Sequence, residues 1–240
     1  MAFALSVVKL EEAIVLPGCP ICRLKADAAQ KSARTFLFEN TLDPGLRTQI
    51  MASHGFCPEH TLLLAAIEMS TDGPTLGINS IYEQLARSTA AELRKLEPPS
   101  QAWLRKLHSP TTTAGIHCPL CEVGAQTERN MLEILFEEME SATSKLFIGY
   151  AQSGGVCYSH LLLGIELNAK RRPAAARLLL EDAALRLENQ SAGMKEYSRK
   201  HDWHYRDEQI TAAENAAWLK TLTFFSGLPA QRFTHKIDLF

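Results

Sequence analysis

Apolar residues recur at intervals of three and four along most of the chain, and strand-like alternation is scarce. Residues 22–40, CRLKADAAQKSARTFLFEN, and 121–140, CEVGAQTERNMLEILFEEME, each carry a helical stripe. The segments 59–69 and 159–170 open with a histidine in the first turn of a predicted helix. Longer helices are predicted over 76–96 and 174–200, and a last one over 214–227 ends on Gly227, a glycine at its C-cap. The pattern predicts an all-α protein. Helix-breaking residues gather in EPPSQ at 97–101 and HSPTTTAG at 108–115, which places a boundary between units 1–100 and 101–240.

The same elements are written twice. Cys19, Cys22, Cys57 and His60 recur as Cys118, Cys121, Cys157 and His160 at offsets of 99 or 100 residues. These positions use all six cysteines of the 240-residue chain. Ser53, Gly55, Leu62 and Leu63 also recur, as Ser153, Gly155, Leu162 and Leu163, so both copies read S-x-G-[FV]-C-x2-H-x-L-L. A fixed internal period means one structural unit used twice. The expected architecture is two pseudo-repeated helical units, the second with a C-terminal helical extension.

The spacing carries chemistry. The copies read C-x2-C-x34-C-x2-H and C-x2-C-x35-C-x2-H, each offering three thiolates and one imidazole. Such a set suits tetrahedral zinc. A two-residue gap lets both side chains of a pair reach one ion, and the proline in each CPxC fixes φ where a helix begins. The helix N-terminus favours the thiolate, the form that binds metal. The expected sites are therefore Cys19, Cys22, Cys57 and His60 around one zinc, and Cys118, Cys121, Cys157 and His160 around a second. Two iron–sulfur clusters on the same ligands are the alternative. A thioredoxin-like role for the CxxC pairs lacks its βαβ setting.

Four protein ligands close a zinc shell, whereas a catalytic zinc keeps a position for water. The expected function is thus a non-enzymatic zinc-binding interaction or scaffold protein with no catalytic residues, the alternative being electron transfer or redox sensing. His54 and His117 adjoin ligand loops in one copy only and read as loop or supporting polar residues. YSRKHDWHYRDE at 197–208 contains His201 and His204 among aromatic and acidic residues. It reads as an aromatic hinge that docks the last helix, and as the best surface for a partner; a hydrolytic metal site there would need an open metal position.

Composition narrows the partners. A formal net charge of -2 supplies no positive field for nucleic acid, and Lys170, Arg171 and Arg172 before Pro173 read as a helix end and a turn. The apolar N-terminus is interrupted by Lys9, Glu11 and Glu12, unlike a signal peptide, and no run of about 18 apolar residues suggests a membrane span. A cytoplasmic protein with a protein partner or self-association is expected, in a compartment where paired cysteines bind metal more often than they form disulfides.

CPIC with GFCPEHTLLL, CPLC with GVCYSHLLL, and KHDWHYRDE before ENAAWLKTLTFFSG together resemble an uncharacterised bacterial family of unknown function with duplicated CPxC and CxxH motifs. The resemblance runs from about residue 10 to residue 228. It implies a helical protein whose shared positions are the eight cysteines and histidines named above, and it brings no activity.

Overall fold

The computed structural model describes residues 2–70, 76–94, 118–205 and 207–227, with side chains from residue 5 onward. The described residues form ten α-helices and no strand: α1 (Ala2–Ile14), α2 (Pro20–Glu39), α3 (Pro44–Ala52), α4 (Pro58–Met69), α5 (Leu76–Leu93), α6 (Pro119–Glu138), α7 (Lys145–Gln152), α8 (Tyr158–Asn168), α9 (Pro173–Lys200) and α10 (Ala212–Ser226). The all-α expectation holds. Helices α1, α3 and α7 were not anticipated from periodicity.

The chain divides into two compact units, but not at the expected place. Unit 1 comprises residues 1–26 and 126–240, and unit 2 comprises residues 27–125. The boundaries fall inside α2 and α6, correcting the division into 1–100 and 101–240. A 20-residue helix is about 30 Å long. The CPxC pair at its start and the segment following its end therefore enter different cores. The breaker-rich stretches 97–101 and 108–115 lie outside the described residues.

In unit 1 the core is built from Leu10 and Ile14 of α1, Leu132, Leu135 and Phe136 of α6, and Leu146, Leu161 and Leu179 of the following helices, all buried. On α9 the buried residues are Ala175, Ala176, Leu179 and Ala183, a single helical face. Helix α10 begins with a capping box, Thr211 accepting from the Glu214 amide while the Glu214 carboxylate accepts from the Thr211 amide. It ends at Gly227, whose φ of 68° is left-handed, as its C-cap reading requires.

Unit 2 packs Phe36, Ile50, Phe56, Leu64 and Ile81 together with Cys118 and Leu120 from the start of α6. Phe36 and Phe56 meet edge to face at 5.3 Å. Asp43 caps α3 by accepting from the Leu46 amide at 2.7 Å.

The repeated S-x-G segments are the turns that deliver each CxxH. In unit 2 the Ser53 hydroxyl donates to the Gly55 carbonyl at 2.8 Å. In unit 1 the Ser153 hydroxyl donates to the Tyr150 carbonyl at 2.8 Å and accepts from the Gly155 amide at 3.0 Å. Gly55 and Gly155 adopt φ of 103° and 74°, open to glycine at little cost. Arg186 fastens the second turn through the Ser153 and Tyr150 carbonyls.

Candidate metal centres

All eight expected ligands converge, in quartets that cross the sequence repeat. Cys19, Cys22, Cys157 and His160 form one group in unit 1, and Cys57, His60, Cys118 and Cys121 form the other in unit 2; within each, the ligand atoms lie within 4.8 Å of one another. The expected sets, Cys19 and Cys22 with Cys57 and His60, and Cys118 and Cys121 with Cys157 and His160, are corrected accordingly. Each CPxC pair joins the CxxH of the other repeat, because α2 and α6 carry the chain out of one core and into the other.

Helix starts build both groups. Cys19 and Cys118 immediately precede Pro20 and Pro119, which open α2 and α6. Cys57 and Cys157 are the N-cap residues of α4 and α8, yet neither makes a side-chain cap bond. Their sulfurs turn instead toward the neighbouring ligands. Each group is thus met by two helix N-termini, whose positive ends stabilise thiolates.

In unit 1 the Nδ1 of His160 lies 3.4 Å from Cys19 Sγ, 3.3 Å from Cys22 Sγ and 3.0 Å from Cys157 Sγ. Its other nitrogen, Nε2, meets Glu128 Oε1 at 2.6 Å. Lys25 reaches the same carboxylate oxygen at 3.1 Å. In unit 2 the Nδ1 of His60 lies 3.1 Å from Cys57 Sγ, 3.5 Å from Cys118 Sγ and 3.3 Å from Cys121 Sγ. Sulfur–sulfur separations are 3.7 Å for Cys22 and Cys157 and 3.6 Å for Cys57 and Cys121.

Protonation in the metal-free chain shows what charge these groups want. Hydrogen bonds from the Cys19 and Cys22 thiols drive Cys157 far below the usual thiol range, while Cys22, holding the shared proton against Cys157, is pushed far up. Burial alone would lower His160, but the Cys157 and Cys19 sulfurs against its ring hold it at about 10. In unit 2, desolvation followed by the Cys57 contact pushes Cys121 up to about 12, although its side chain reaches solvent. Both groups concentrate sulfur around a point that favours positive charge. They can hold a metal ion.

The model of a family of unknown function, DUF6062, matches residues 1–228. The chain belongs to that family. A relative from Caldicellulosiruptor sp. (strain Rt8B.4), described as an uncharacterized 23.9 kDa protein in the xynA 3′ region, is 25% identical over 210 residues, covering 87% of this chain and 95% of that protein. No solved structure matches this DUF6062 chain.

Among the described residues, the remaining histidines stay apart from both centres. His54, at φ 54° in the turn after α3, is exposed and lies 3.7 Å from Glu92. His117 lies outside the described residues. His201 bonds the Tyr197 carbonyl at 2.7 Å, and His204 stacks on Trp203 at 3.8 Å while contacting Asp202 at 2.9 Å. Arg199 pairs with Glu208 inside the 197–208 segment, and Lys200 at the end of α9 pairs with Glu214 of α10 at 2.8 Å. Lys170–Arg172 lies in the turn between α8 and α9, where Arg172 pairs with Glu137 at 2.9 Å. No described helix is long and apolar enough to cross a membrane.

Two contributors escaped the sequence reading, Glu128 and Gly227. Glu128 follows Cys121 by seven residues on α6, yet it serves the other centre, through His160, 32 residues further on, and no local spacing marks it. A β-carbon on residue 227 would lie 3.0 Å from Cys22 Sγ and 3.3 Å from Cys157 Sγ, so the end of α10 closes against the unit 1 sulfurs. Glycine's lack of a side chain makes room for that approach.

Proposed function

We propose that this protein is a non-enzymatic zinc-binding helical scaffold that holds two zinc ions, one per unit, each in a saturated Cys3His shell, and offers its helical surface to a protein partner. The observation that carries the reading is His160. Its Nδ1 faces three sulfurs while Nε2 is held by Glu128, the carboxylate–histidine–metal arrangement that fixes a ligating ring and raises its basicity. The donor set fits one ion. A tetrahedron with bonds of about 2.3 Å to sulfur and about 2.0 Å to nitrogen has edges of about 3.8 Å between sulfurs and about 3.5 Å between sulfur and nitrogen. The separations here run from 3.0 to 3.7 Å. A cluster of two or more irons spreads its ligands wider than a single ion does. The repeat of both ligand motifs further supports a duplicated unit whose ligand pairs are exchanged between copies.

Elemental analysis of the purified chain tests the reading. Two zinc per chain are expected, and a chain purified anaerobically is expected to be colourless. Iron with acid-labile sulfide and visible absorption would replace it with electron transfer or redox sensing.

A further inference from the structure

The duplication predicts two equivalent metal centres, and the structure makes them different. In unit 1 Cys19, Cys157 and His160 are buried, whereas in unit 2 Cys118 alone is, Cys57 and His60 are half-buried and Cys121 is exposed. In unit 1 Glu128 on α6 also braces His160 at 2.6 Å. Finally, the end of α10 at Gly227 closes directly against Cys22 and Cys157.

Resting on the two-zinc reading, we propose that the unit 2 quartet is a metal-exchange site, which takes up and gives up a soft divalent ion with thiol-bearing acceptors at the exposed Cys121 edge. The unit 1 ion stays in place as a permanent staple. In the exchange an incoming thiol sulfur forms a bond to the metal as the bond to Cys121 Sγ breaks. The incoming thiol's proton passes to the released Cys121 sulfur, and no electrons are transferred. Buried Cys118 keeps the ion anchored while its other ligands are replaced in turn.

Zinc release from the loaded, full-length protein to the chromophoric chelator 4-(2-pyridylazo)resorcinol reads this directly. Two phases of one equivalent each are expected, with rates separated by at least roughly 10-fold, about 1.4 kcal/mol in barrier. The fast rate should climb with added dithiothreitol while the slow rate does not. Cys121→Ser should abolish the fast phase, and Glu128→Gln should accelerate the slow one. As a measurement that needs no variant, brief iodoacetamide treatment of the zinc-loaded protein followed by peptide mass spectrometry should modify Cys121 and Cys57 before Cys19, Cys22 and Cys157. A single release phase of two equivalents, a fast rate indifferent to dithiothreitol, or uniform alkylation overturns the exchange site and leaves the two-zinc scaffold intact. Absence of bound zinc from the protein as purified overturns both.

Discussion

Replacing Gly227 by alanine should weaken unit 1 only as far as its sulfurs are held in place. The residue sits at φ 68°, where a β-carbon costs about 1–2 kcal/mol. That carbon would also lie 3.0 Å from Cys22 Sγ and 3.3 Å from Cys157 Sγ, tighter than ordinary van der Waals contact, so the sulfurs must give by a few tenths of an ångström. With zinc bound, both sulfurs are anchored to the ion and cannot retreat, which adds about 1 kcal/mol of overpacking. Without zinc the thiols can rotate away, and only the backbone cost remains. The loaded variant should therefore lose about 2–3 kcal/mol and the metal-free variant about 1–2. At roughly 2–4 °C per kcal/mol for domains of this size, the loaded protein's unit 1 transition should fall by about 4–12 °C. Differential scanning calorimetry with and without zinc measures both shifts. Gly154→Ala is the control, since its β-carbon would find nothing nearer than the Gly18 amide at 4.0 Å. An unchanged transition, or equal losses with and without zinc, would refute the placement of α10 against a metal-bound pair.

Three further outcomes follow from packing, capping and protonation. In Gly164→Ala the new carbon would lie 2.6 Å from the buried Phe136 ring, so overpacking of about 1–3 kcal/mol should outweigh the roughly 1 kcal/mol gained in helix propensity, read as a lower denaturant midpoint. Thr211→Ala removes the capping box of α10 and should cost about 0.5–2 kcal/mol by chemical unfolding; no loss would mean the cap is not formed in solution. Because Cys121 keeps its proton up to about 12 in the metal-free chain, zinc must displace it near neutral pH. Affinity at the unit 2 site should therefore rise with pH, about tenfold per unit for each proton displaced, and titration in a weakly buffered indicator dye should show protons released on loading.

The eight ligands were legible because cysteine and histidine at two-residue gaps have few other uses in such a pattern. Their partition was not. Cys19 and Cys22 present the same donors to Cys57 and His60 as to Cys157 and His160, and an offset near 100 residues is satisfied by either pairing. What decides is the length and stiffness of α2 and α6, which take each CPxC pair away from its own CxxH, and no local signal reports where a rigid helix ends in space. Periodicity found the long helices but missed α3 and α7, whose starts are marked by Asp43 before Pro44 and by Ser144, signals of capping and not of hydrophobic face. Glu128 and Gly227 stayed hidden because each acts on a centre whose other members lie far away in sequence.

The exchanged pairing itself is tested most directly by substituting cadmium-113 for zinc and recording heteronuclear correlations from each metal to cysteine β-protons and histidine ring protons. The account predicts two cadmium resonances, one correlated with Cys19, Cys22, Cys157 and His160 and the other with Cys57, His60, Cys118 and Cys121. One resonance correlated with Cys19, Cys22, Cys57 and His60 would contradict it.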